Sequence, residues 1–219
     1  MRLRLLRHAL ADYARLKGTP QMVDAPLSPS GEAQLPAPVE RLTREPPGFV
    51  YCSPTLRTMA TASAVASGLG VRLVAWSLLC EQAFLHGALG LGRSELRARF
   101  PLIAVPDEIP EQGWTAGKVR EDDIPWSRRA RQVLHRLLER HPHEATDDVL
   151  FVTHLGFAGE LLRAILGLEE NYRFTMGDTA ITAIQLKPAE VFVEYVNCMR
   201  HLNRDIGGAP RVDRTPGSP

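Results

Sequence analysis

The chain has 219 residues, 44% of them hydrophobic, enough to bury one substantial core within the usual size of a single α/β domain. With 26 basic against 25 acidic side chains its net charge is +1, so no overall field draws it to nucleic acid or an anionic membrane, and anion binding must be local. Cys52, Cys80 and Cys198 are odd in number and widely spaced, with no CxxC or Cys/His ligand pattern; this argues against a disulfide framework and a zinc site and for a reducing, cytoplasmic setting.

The opening, MRLRLLRHALADYARLKG, breaks its apolar residues with arginine too often for a signal peptide, and no stretch reaches the length of a membrane span. The chain is therefore expected to be soluble and not exported. Short apolar runs at 3–7, 48–53, 71–76 and 148–154 read as buried parallel strands, and helical patterns follow the second and fourth of them. Ser28 or Ser30 can cap a helix, but Pro36 and Pro38 interrupt it, so a short turn and a restart are expected over 28–45. Helices are expected over 55–70, stopped by Gly68 and Gly70; over 127–141, stopped before Pro142; and over 156–167, stopped by Gly167. Residues 82–126 form a Pro- and Gly-rich insertion of the kind that serves as a lid or binding loop. Runs at 180–186 and 191–197, split by Pro188, suggest a hairpin adding antiparallel strands. The fold class expected is α/β: a three-layer sandwich around a mostly parallel, doubly wound sheet with an antiparallel edge and a lid insertion after the third strand. One domain spans 1–202, and 203–219 read as a flexible C-terminal tail.

Four of these strands end in polar residues: Arg7 and His8, then Ser53 with Arg57 a helical turn on, then Glu81, then His154. The carboxyl ends of parallel strands share one edge of the sheet, where ligands bind, so these side chains can converge. Taken singly, each has a plainer reading as a structural histidine, a solvated arginine or a surface carboxylate. Together, two arginines, two histidines and a carboxylate make an anion site with a nucleophile and a proton donor, the equipment for phosphoryl transfer without a metal. Arg7, Arg57 and His154 can hold the phosphate oxygens, and a ring of cations should depress the His8 pKa and keep a ring nitrogen free for in-line attack. Glu81 can protonate the leaving alkoxide and then activate water.

These residues resemble the histidine phosphatase superfamily, the phosphoglycerate-mutase-like or branch-A acid phosphatase group. Its strand followed by R-H-G stands here as LLRHA, and its D-x-P-L-T-x-x-G-x-x-Q as DAPLSPSGEAQ at 24–34. Its S-P-L-x-R-x-x-x-T-A stands as SPTLRTMATA at 53–62, its strand and histidine as VLFVTHLGF, and its N-x-x-x-H-L as NCMRHL at 197–202. The resemblance implies His8 as the phosphorylated nucleophile, Arg7, Arg57 and His154 as phosphate ligands, and Glu81 as acid/base. It also implies no metal or other cofactor and a small phosphorylated metabolite as substrate. Ala9 and Leu155 stand where the family usually has glycine, Ala14 where many members have a phosphate-touching asparagine, and Gln82 where mutases carry a basic residue.

Phe84, His86 and Trp114 in the insertion are candidates for gripping the organic part of a substrate. Cys52 precedes Arg57 as C-x4-R, one residue short of a cysteine phosphatase loop, because Thr58 stands where the arginine should be. No G-x4-G-K-[ST] is present, and HGALGLG at 86–92 follows no strand. His141 and His143 read as solvated helix-end residues. A phosphoglycerate mutase-type phosphotransferase and a non-catalytic phosphate-binding module remain alternatives to a hydrolase, and a homodimer remains open.

Overall fold

The computed structural model describes residues 1–19, 24–81, 90–114, 126–142 and 147–202. Strands β1 (Arg2–Arg7), β2 (Phe49–Cys52), β3 (Leu73–Ala75), β4 (Ile103–Ala104), β5 (Asp148–Thr153), β6 (Ile181–Leu186) and β7 (Val191–Cys198) form a seven-stranded sheet in the order β4-β3-β2-β5-β1-β6-β7. The first five pair in parallel, while β6 runs antiparallel to β1 and β7 antiparallel to β6. This is the expected mixed sheet with its antiparallel edge. The β6–β7 turn closes through reciprocal bonds between the Lys187 and Glu190 backbones around Pro188, whose missing N–H costs nothing there.

Period-two alternation sends side chains from each central strand to two separate cores, which makes the architecture three-layered. Leu3, Leu5, Tyr51, Val149 and Phe151 face one way, against α6 (Trp126–Arg140) and α7 (Leu155–Leu166). Leu6, Val50, Cys52, Leu150 and Val152 face the other way, against α4 (Leu56–Leu69) and Leu42 of α3 (Pro36–Thr43). Arg4 sits in the β1 run yet is 1% exposed; its charge is met by Asp148 at 2.7 Å and the Glu45 carbonyl at 2.8 Å.

The expected turn and restart over 28–45 is a short helix α2 (Pro29–Gln34), capped by the Ser28 hydroxyl on Gly31 N–H at 3.0 Å, followed after Leu35 by α3. A short α1 (Tyr13–Leu16) precedes them. Gly31 has a packing reason: a Cβ there would lie 2.0 Å from the Leu10 carbonyl oxygen. In the insertion, α5 (Arg93–Arg99) and β4 were not expected. Two residues are too few for a periodicity signal, and only pairing with β3 makes them a strand. No described helix is long and apolar enough to cross a membrane. The tail assigned to 203–219 lies outside the described residues.

Candidate active site

The registers put the candidate residues at one edge. Arg7 pairs with Thr153 and Cys52 with Val152, and the ladder continues past the strands as His8 N–H bonds the Thr153 carbonyl and Ser53 N–H the Val152 carbonyl. His8, Ser53 and His154 therefore emerge side by side. The His8 and His154 rings meet edge to face with centroids 5.2 Å apart, and Arg57 Nη2 lies 3.3 Å from His154 Nδ1.

These contacts assign the tautomers. His8 Nδ1 lies 2.8 Å from the Ala9 carbonyl, which can only accept, so Nδ1 carries the proton and Nε2 keeps its lone pair. Arg57 can only donate, so His154 Nδ1 accepts and Nε2 donates to Ser53 Oγ at 3.0 Å. Burial, and then the Arg57 charge, push both imidazoles well below the ordinary value; Arg7 adds to this at both, and the Ala9 carbonyl opposes it at His8. The cation ring expected from the sequence thus acts second to desolvation. Ala9 keeps a negative φ, and its N–H bonds Thr61 Oγ1 at 3.1 Å, so the usual glycine is not needed here.

Glu81 reaches the start of α7, where its two carboxylate oxygens accept from Gly156 N–H at 2.9 Å and Phe157 N–H at 3.0 Å. Gly156 makes room for it: a Cβ there would lie 2.6 Å from Glu81 Oε1. The Ser77–Leu79 turn leading to Glu81 is pinned to β5 by Thr153 Oγ1, which donates to the Leu79 carbonyl at 2.7 Å.

Arg7 donates to the Met176 carbonyl at 2.7 Å and lies 3.0 Å from Asp178 Oδ1, a charge contact without hydrogen-bond alignment. Its buried Nε has no hydrogen-bond partner among the described residues. Burial raises the Asp178 carboxyl despite the opposing Arg7 charge.

Three residues missed in the sequence join the cluster. Asp178 is one. Asp24 is another: its Oδ1 accepts from Leu56 N–H at 2.7 Å and so fixes the first turn of α4, next to Arg57. Burial raises its pKa, against the Leu56 and Trp114 bonds and the Arg57 charge. Its signal was the aspartate opening DAPLSPSG. Tyr13 is the third, its ring 5.6 Å from the Arg57 guanidinium, and a lone tyrosine offered no signal.

Trp114, a candidate for substrate grip, is 2% exposed, packs in the core beside α4 and points its indole N–H to Asp24 Oδ2 at 3.4 Å. Phe84 and His86 lie outside the described residues. Leu155 packs against the α6–α7 core, and Ala14 is exposed on α1. His141 corrects the solvated reading: it is 3% exposed, between Asp147 at 2.6 Å and the Tyr51 hydroxyl at 3.0 Å, because α6 ends against the sheet instead of in water. His143 lies outside the described residues. Among the described residues no group of three or more His, Cys, Asp or Glu is placed to hold a metal ion.

The histidine phosphatase superfamily (branch 1) matches residues 3–199. No curated protein matches in sequence. Among solved structures, the phosphoserine phosphatase of Entamoeba histolytica, in complex with phosphoserine, superposes with a TM-score of 0.64 at 20% identity, covering 92% of this chain and 99% of its own. A mycobacterial glucosyl-3-phosphoglycerate phosphatase complexed with VO3 gives 0.63 at 21%, covering 90% and 99%. The YhfR protein of Bacillus stearothermophilus gives 0.64 at 21%, covering 91% and 98%. With the family matched across nearly the whole chain, the protein belongs to the histidine phosphatase superfamily, branch 1, and is an enzyme of the phosphatase class.

Proposed function

We propose that this chain hydrolyses small phosphate monoesters through a phosphohistidine formed on His8, without a metal. The observation that carries this is the His8 tautomer: a buried, neutral imidazole whose Nε2 lone pair is free beside two arginines. Arg7 and Arg57, with His154, hold the phosphoryl oxygens and neutralise the charge that repels nucleophiles. Nε2 of His8 attacks phosphorus in line, forming the P–N bond as the P–O bond to the leaving group breaks. Glu81 gives that oxygen its proton. The resulting carboxylate then takes a proton from water, whose oxygen displaces His8 and releases phosphate. The small phosphorylated ligands and substrates named for the structural neighbours, phosphoserine and glucosyl-3-phosphoglycerate, support a substrate of that size.

The test is to quench turnover of a radiolabelled phosphate ester in alkali. Label should stay on the protein, leave in acid, and be lost together with activity in His8→Ala, while circular dichroism shows the fold unchanged. Undiminished turnover by His8→Ala would remove the nucleophile from the scheme.

A further inference from the structure

On the sheet face that carries α6, a groove of about 290 Å³ opens between that helix and residues 106–109, floored by β2 and β3. It shares no residue with the catalytic cluster. Arg72, Arg136 and Arg140 line it, against the single carboxylate of Glu108. None of the three arginines has an ion-pair partner among the described residues. Arg140 is nevertheless positioned: its guanidinium lies 4.7 Å from the centre of the Trp76 ring and 5.9 Å from that of Tyr51.

The aromatic floor is itself held. Asp147 accepts from His141 Nδ1 at 2.6 Å, and His141 Nε2 is hydrogen-bonded to the Tyr51 hydroxyl at 3.0 Å, a chain of bonds that holds the phenol in place. A cation stacked on a fixed ring loses little freedom on meeting an anion, and a guanidinium matches the oxygens of a phosphoryl group two at a time. The volume is near the lower end for small-molecule sites, room for a compact ligand.

We infer that this groove is a second anion site, which binds a small organic phosphate through Arg72, Arg136 and Arg140 with its apolar part against Trp76. Its ligand shares the phosphoryl dianion of the proposed substrate but meets no histidine among the residues that line the groove.

Equilibrium dialysis with phenylphosphonate, whose P–C bond resists hydrolysis, tests this directly. Two equivalents per chain are expected. Arg136→Glu with Arg140→Ala should weaken one of them tenfold or more, as expected for lost charged hydrogen bonds, and Arg57→Ala should remove the other. Because Trp76 lines the groove, its occupation should also change tryptophan fluorescence, and Trp76→Phe should abolish that change. If the double variant fails to fold, Arg136→Glu alone, at an exposed position, must produce the weakening. Inorganic phosphate in a parallel arm separates the sources: tighter phenylphosphonate assigns the organic ester, equal affinity the free anion. One equivalent in the unmodified protein, or a second that ignores both arginines, overturns the inference. So does a dimer that closes the groove and reverts to monomer with Arg136→Glu. Labelling of His8 is read separately and stands or falls on its own.

Discussion

Among single residues, the nucleophile proposed above, His8, owes its state to what surrounds it. His8 lies at the end of an apolar strand, and burial together with Arg57 keeps its ring neutral where an exposed histidine would begin to charge. The acid limb of kcat/KM, which reports the free enzyme, should therefore fall below the ordinary imidazole value of about 6.5. Arg57→Gln removes one depressing charge and should move the His8 titration upward, as followed by NMR of its ring protons; a downward shift would contradict the electrostatic account. Gly156→Ala probes the acid/base role proposed for Glu81. Its methyl would need the space of Glu81 Oε1, 2.6 Å away, so the carboxylate must leave the α7 terminus. Turnover of esters with poor leaving groups should fall by roughly tenfold or more, and good leaving groups should suffer less, because they need little protonation. Equal losses would argue that the fold, and not the acid, had been damaged.

Among the elements, α4 and α7 do most to place the candidate residues, through the Asp24 bond to Leu56 N–H and the Glu81 bonds to Gly156 and Phe157 N–H. Thr55, at the N-cap of α4, makes no side-chain cap; that role passes to Asp24 from a distant loop. Asp24→Ala should lower stability by about 1 kcal/mol, as for a lost cap, and raise KM as Arg57 loses its registration. Asp24→Asn retains an accepting oxygen and should recover much of the KM, whereas a purely structural role would leave KM unmoved in both variants. The elements also mark how far local pattern extends. β1, β2, β5, β6, β7 and the helices α4, α6 and α7 are long or regular enough to announce themselves. β4 and α1 are not, since two strand residues and a four-residue helix form only against a partner. Likewise Trp114 looked like a binding aromatic within a polar insertion, but its fate was decided by packing against α4, which no window along the chain contains.

For the molecule as a whole, burying histidines has a cost. His8, His154 and His201 are all pushed below their ordinary value, chiefly by burial, so the unfolded chain binds more protons than the native one as pH falls through about 6.5. Stability is then fully present above that value and lost below it. The raised carboxyls of Asp24, Asp148 and Asp178 act in the opposite sense, but only nearer the acidic range where carboxyls titrate. The urea midpoint should therefore drop between about pH 7.5 and 5.5; an unchanged midpoint would mean that these rings are not held neutral in the native state. The chain order of short apolar runs was enough for the layered α/β class, and the polar residues at their ends made Arg7, His8, Arg57, Glu81 and His154 candidates, because alternation and strand-end placement are local properties written along the backbone. Which ring nitrogen holds the proton, why Gly156 must lack a side chain, and how Asp24, Tyr13 and Asp178 come to stand around the arginines were decided only by tertiary structure. Those facts depend on distances between segments far apart in the chain, and only packing sets such distances.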